Sequence, residues 1–92
     1  MKLICNIIYF KSSEPFFSKE ESGIKNNTVR TLDTNEGILL NENIALIRYI
    51  GITSMETNDT FVRKLRDVSF YVDRWIFTWE DWIWTQTNVK NL

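Results

Sequence analysis

Apolar and polar positions change rhythm several times along this chain, and each rhythm predicts an element. The run Leu3-Ile4-Cys5-Asn6-Ile7-Ile8-Tyr9-Phe10 is β-branched and aromatic, lies between Lys2 and Lys11-Ser12-Ser13, and predicts a first, central strand. Ser13 is placed to cap, Pro15 suits a first helical turn and Gly23 suits a left-handed stop, which predicts a short helix from Glu14 to Glu21 with Phe16-Phe17 docked on the sheet. Asn27-Thr28-Val29-Arg30-Thr31-Leu32 then alternates with the period of a half-buried strand, so Thr28 and Arg30 share a face. Turn formers fill Asp33–Gly37, and Ile38–Asn43 predicts an irregular connection. From Ile44 to Ile52 the chain is strand-like again, with Gly51 marking a bulge.

The second half adds more of the same. Thr57-Asn58-Asp59-Thr60 offers caps ahead of Phe61–Arg66, where Phe61 and Leu65 share a helical face and Arg63, Lys64 and Arg66 are left for solvent. Val68–Val72 and Trp75–Trp79 flank Asp73-Arg74, making either a two-residue hairpin or one long bent strand. Trp75, Phe77 and Trp79 fall on one strand face and predict core. The pattern restarts after Glu80-Asp81, leaving Trp82 or Trp84 partly exposed as a contact for another chain. The polar composition of residues 86–92 predicts a loose tail. The fold class is α+β and β-rich: one curved sheet or partial barrel with one or two short helices.

Length allows 92 residues only one core, so a single domain over 1–92 is expected. Cys5 is the only cysteine and lies in an apolar run, which predicts a buried, inert thiol and a reducing, cytoplasmic setting. That same run is far shorter than a bilayer span and ends in aromatic residues, so neither a membrane segment nor a signal peptide is read. A net charge of −1 removes any sequence-independent attraction to nucleic acid and leaves a local basic face as the only electrostatic route to it. With no His and one Cys, neither a zinc site of the usual type nor histidine acid–base chemistry is expected, and no metal or cofactor is called for.

The most informative constellation is Gly23-Ile24-Lys25-Asn26-Asn27-Thr28-Val29-Arg30, spaced G-x-K-x-x-T-x-R after a short helix and opening a strand. Lys25 leaves the turn while Thr28 and Arg30 project from one strand face, so a cation, a hydroxyl and a guanidinium converge on one cleft suited to a nucleobase edge or a phosphate. The bland reading of the same residues is a helix stop, a solvated Lys25 and an Arg30 paired with Asp33 or another carboxylate on the surface. The pattern resembles the ASCH family of PUA-like β-barrels, whose signature is G-x-K-x-x-E-x-R, with Thr in place of Glu in some members. That resemblance implies a small PUA-like domain binding RNA or a nucleotide. For the Thr variants it implies an amidohydrolase of acylated cytidine, in which Lys25 and Thr28 activate the nucleophile and a Glu assists. No motif assigns that Glu; Glu56, in a polar loop, is the guess the sequence offers.

A second constellation is Arg63-Lys64-x-Arg66, joined in space by Arg48 and Arg74 and accompanied by Tyr71, Trp75 and Trp79. Basic and aromatic interleaving of this kind binds single-stranded nucleic acid, although such aromatics at strand spacing more commonly form core. The leading expectation is a non-catalytic nucleotide- or RNA-binding domain using Lys25, Thr28, Arg30, Arg63, Lys64 and Arg66. The alternatives are a small hydrolase of modified nucleosides and an interaction module or inhibitor presenting Trp82 and Trp84 to a host protein or to a second copy of itself. Abundant Asn, Ile and Lys in so short a chain resemble a phage protein of an AT-rich host.

Overall fold

The computed structural model describes residues 1–80. They form a small α+β domain in the order β1 (Lys2–Ile4), β2 (Ile7–Ser12), α1 (Phe16–Glu21), β3 (Asn27–Arg30), α2 (Thr34–Asn43), a 3₁₀ turn (Ile44–Leu46), β4 (Tyr49–Ser54), β5 (Thr60–Tyr71) and β6 (Arg74–Trp79). The six strands make one mixed, unclosed sheet in the order β1-β2-β4-β5-β6-β3. β2 and β4 are parallel, from Ile7 opposite Tyr49 to Ser12 opposite Ser54, and the other neighbours are antiparallel. The β2-to-β4 connection, residues 13–48, carries both helices and β3.

Alternation decides which face is core. Ile8, Phe10 and Ser12 of β2 and Ile50, Ile52 and Ser54 of β4 are buried on the inner face, where they meet Phe61, Phe77 and Trp79. Phe17 of α1 and Leu40 of α2 close the same side, with Phe10 and Phe77 ring centroids 4.9 Å apart and Phe17 and Phe61 5.5 Å apart. Tyr9, Lys11, Gly51 and Thr53 fall on the opposite, outer face by the same alternation. Trp75 packs against this core as a half-buried neighbour, as its face predicts.

Several expectations are corrected. The first strand is two: the chain turns at Cys5, whose φ is 55°, and pairs β1 with β2, so the Cys5 thiol is exposed rather than buried. The Asp33–Asn43 region is a helix, because the Asp33 carboxylate accepts from the Glu36 backbone N–H while the Glu36 side chain accepts from that of Asp33, a reciprocal capping box. Phe61–Arg66 is strand, not helix, and belongs to β5. Its partner β6 follows a hairpin turn at Val72-Asp73, one residue earlier than Asp73-Arg74. The irregularity expected at Gly51 lies instead between Leu65 and Asp67. Phe17 is buried, whereas Phe16 is exposed. Trp82, Trp84 and the tail lie outside the described residues. Among those described, no helix is long and apolar enough to cross a membrane, and no group of three or more His, Cys, Asp or Glu side chains gathers as a metal site.

Candidate functional site

Curling of the sheet brings β3, at one end of the strand order, against the free end of β2. β1 covers β2 only as far as Tyr9, which leaves the edge of Phe10–Ser12 unpaired on that side. Arg30 of β3 reaches across this seam: Nη1 donates to the Lys11 carbonyl at 2.6 Å and Nη2 to Ser12 Oγ at 2.6 Å. Its Nε donates to Thr28 Oγ1 at 3.0 Å, which places Thr28 and Arg30 on the same face as the strand period predicts. The guanidinium carbon stands 4.8 Å from the Phe10 ring centroid, a cation–π contact. Among the described residues no carboxylate forms a salt bridge with Arg30; Asp33 is spent on capping α2.

Glu20 organises the floor. In α1 it sits three residues after the buried Phe17, on the same helix face, and is 1% exposed. Ser12 Oγ donates to Glu20 Oε1 at 2.9 Å, and Lys25 Nζ stands 3.5 Å from Oε2 while also donating to the Asn27 carbonyl. A continuous path therefore runs from Arg30 through Ser12 and Glu20 to Lys25. Burial pushes the Arg30 guanidinium below the usual arginine range, and the nearby Glu20 charge opposes that shift.

Among the described residues three of the five Arg30 N–H groups are engaged, and so are two of the three on Lys25, which leaves donors on both residues for a ligand. Lys25, Thr28 and Arg30 line one cavity of about 470 Å³ together with Ser12 and Glu20. Phe16 and Met55, 53% and 62% exposed, line it too and offer apolar surface. Arg74, grouped by sequence with Arg48 and the Arg63 cluster, lines this cavity instead.

The residues of the second constellation are dispersed. Arg63 faces inward: its Nη1 and Nη2 donate to the carbonyls of Val62 and Glu21, its Cζ lies 4.6 Å from the Phe61 ring centroid, and its Nε has no partner among the described residues. Burial lowers its pKa from the usual arginine value, with Glu21 opposing. Lys64 and Arg66 are exposed on the same strand, and strand alternation turns Lys64 away from Arg63. Trp79 is 1% exposed and offers no stacking surface. Glu56 is exposed, with Oε1 accepting from the Glu14 backbone N–H at 3.5 Å, and does not line the cavity.

Sequence reasoning missed Ser12 and Glu20. The available signal for Glu20 was its i,i+3 spacing from Phe17; a carboxylate placed one helical turn from a docking aromatic shares its buried face. Ser12 carried no signal of its own, because its role depends on β3 arriving beside β2. No protein-family model, curated protein or solved structure matches the chain, so the chemistry of this cleft is what bears on function.

Proposed function

We propose that the chain is a non-catalytic nucleotide- or RNA-binding domain of ASCH-like, PUA-like type that holds a nucleotide in the Lys25–Thr28–Arg30 cleft. The observation that carries this reading is the pair of cations, Lys25 and Arg30, with unspent N–H donors over a floor of hydroxyls and a buried carboxylate in one cavity. Donors of both kinds suit a phosphate, and a mixed donor and acceptor floor suits the edge of a base. The exposed Phe16 and Met55 give a base apolar surface to lie against.

Thermal denaturation with each nucleoside 5′-monophosphate and with short single-stranded RNAs tests the reading. A nucleotide at a hundredfold excess over its Kd stabilises the fold by about 2.7 kcal/mol, which in a domain of this size raises Tm by at least about 10 °C. Lys25→Ala and Arg30→Ala are each expected to weaken binding by about tenfold or more, in line with loss of a charge-assisted hydrogen bond. Arg66→Ala serves as the control and leaves binding unchanged. Absence of a shift with every nucleotide and RNA overturns the proposal.

One observation favours the hydrolase as a second reading: Glu20 supplies, beside Lys25, the carboxylate that the motif lacks. Against it stands the arrangement of Thr28, whose hydroxyl accepts from Arg30, while the bonds of Lys25 go to Glu20 and Asn27. A nucleophile needs its base within hydrogen-bond reach. Turnover of N4-acetylcytidine to cytidine and acetate, lost in both Lys25→Ala and Thr28→Ala, would promote the hydrolase over the binding domain.

A further inference from the structure

A second and larger cavity, about 700 Å³, lies on the other side of Arg30. Lys11, Arg30 and Thr31 line both cavities, so the two chambers meet along a shared wall. This second chamber wraps the unpaired edge of β2 beyond the end of β1, and its lining passes from Phe10 and Leu32 to the outer-face residues Tyr9, Lys2 and Thr53. Tyr9 sits there on Gly51: a Cβ at Gly51 would lie 2.5 Å from both Cδ1 and Cε1 of the Tyr9 ring. The glycine lets the ring rest against the strand backbone, and both described helices pack on the inner face of the sheet, away from this ring. Lys2 stands directly across from Tyr9 in the β1–β2 ladder, and Lys11 follows two residues along the same face. The carboxylate that lines this chamber, Glu36, is already engaged by the Met1 amino group at 3.4 Å and by its own helix cap.

We infer that this chamber is a subsite for the adjoining nucleotide of a single-stranded oligonucleotide, whose base stacks on Tyr9 and whose linking phosphate lies at the shared Lys11–Arg30 wall. The inference rests on the nucleotide-binding reading of the first cavity and extends it from a mononucleotide to at least a dinucleotide. An aromatic ring flanked by cations is the combination that holds a base and tracks its backbone without requiring a particular sequence. Beyond its three bonds to the described residues Arg30 keeps two N–H groups, one for the nucleotide in the first cavity and one for the linking phosphate.

Titration calorimetry with the four nucleoside 5′-monophosphates and the corresponding 5′-phosphorylated homodinucleotides separates the two claims. The dinucleotide of the favoured base is expected to bind about tenfold or more tightly than its mononucleotide, the gain associated with one stacked base. Tyr9→Ala and Lys2→Ala are expected to reduce that advantage while leaving mononucleotide affinity unchanged. Gly51→Ala acts in the same direction by lifting the ring from its seat. Because Lys2 is exposed, its substitution keeps the fold and tests the subsite even where a Tyr9 variant unfolds. Equal affinity for mononucleotide and dinucleotide, with the mononucleotide bound through Lys25, overturns the second chamber alone. Failure of both to bind overturns the first reading and this one together.

Discussion

A Trp79→Ala variant is expected to lose about 3–5 kcal/mol of stability, the range for truncating a large aromatic in a core. Its indole is 1% exposed, lies edge-on to Phe61 with ring centroids 6.0 Å apart, and belongs to the same cluster as Phe77. Replacement removes most of the side chain from a site bounded by sheet on one side and by the Phe17–Phe61 pair beyond it, so little can collapse into the space. The backbone makes the position more consequential still. Trp79 N donates to the Asn26 carbonyl at 3.0 Å, and Asn26 Nδ2 reaches the Trp79 carbonyl, tying β6 to the chain just before β3. Total stability of small domains is about 5–15 kcal/mol, so this one substitution takes a large part of it. Urea denaturation measures the loss. Ile24→Ala, at an exposed position before β3, is the matched control and stays within about 0.5 kcal/mol. A Trp79→Ala loss below about 1 kcal/mol contradicts the packing described.

Glu20→Ala is the second large effect, at roughly 2–3 kcal/mol. Removing one member of a buried ion pair costs about 3–5 kcal/mol when both charges are sealed from water. Lys25 keeps partial access to solvent, which brings the expected loss below that range. Three groups lose a partner at once: Ser12 Oγ its acceptor, Lys25 its counterion, and the partly buried Arg30 the negative charge that opposes its desolvation. Glu20→Gln separates shape from charge. It keeps an acceptor for Ser12 and fills the same volume, so it is expected to cost less than half as much in urea denaturation. Equal losses for the two variants would mean that the carboxylate charge contributes nothing to the cleft.

The legible part of this molecule is the part whose geometry is local. Thr28 and Arg30 meet because a strand repeats every second residue, and Gly23 ends the preceding helix in a left-handed conformation with φ of 87°. Other segments read two ways. Phe61 and Leu65 satisfy a helical i,i+4 pair, but Phe61, Arg63 and Leu65 also satisfy a strand if an arginine is accepted on the inner face; the Val62 and Glu21 carbonyls and the Phe61 ring make that acceptable. Asp33-Thr34-Asn35-Glu36 has the composition of a turn and the spacing of a capping box, and the spacing prevailed. The floor of the cleft was hidden for a different reason. Ser12 and Glu20 acquire their roles only when the sheet curls β3 against β2, a tertiary event that no local pattern encodes.

The parallel pairing of β2 with β4, like the β3–β6 ladder, joins strands that are distant in sequence. β1–β2, β4–β5 and β5–β6 are hairpins that close across short turns, whereas the β2–β4 ladder requires residues 13–48 to be gathered first. Loop-closure entropy of such a segment is incurred before its contacts compensate, so non-local pairing of this kind slows folding. Glu20, Lys25, Thr28 and Arg30 all lie within that gathered segment. The cleft is therefore complete only once these distant strands have met, so a ligand that needs the whole cleft binds the folded chain and not the unfolded one, and stabilises it by mass action.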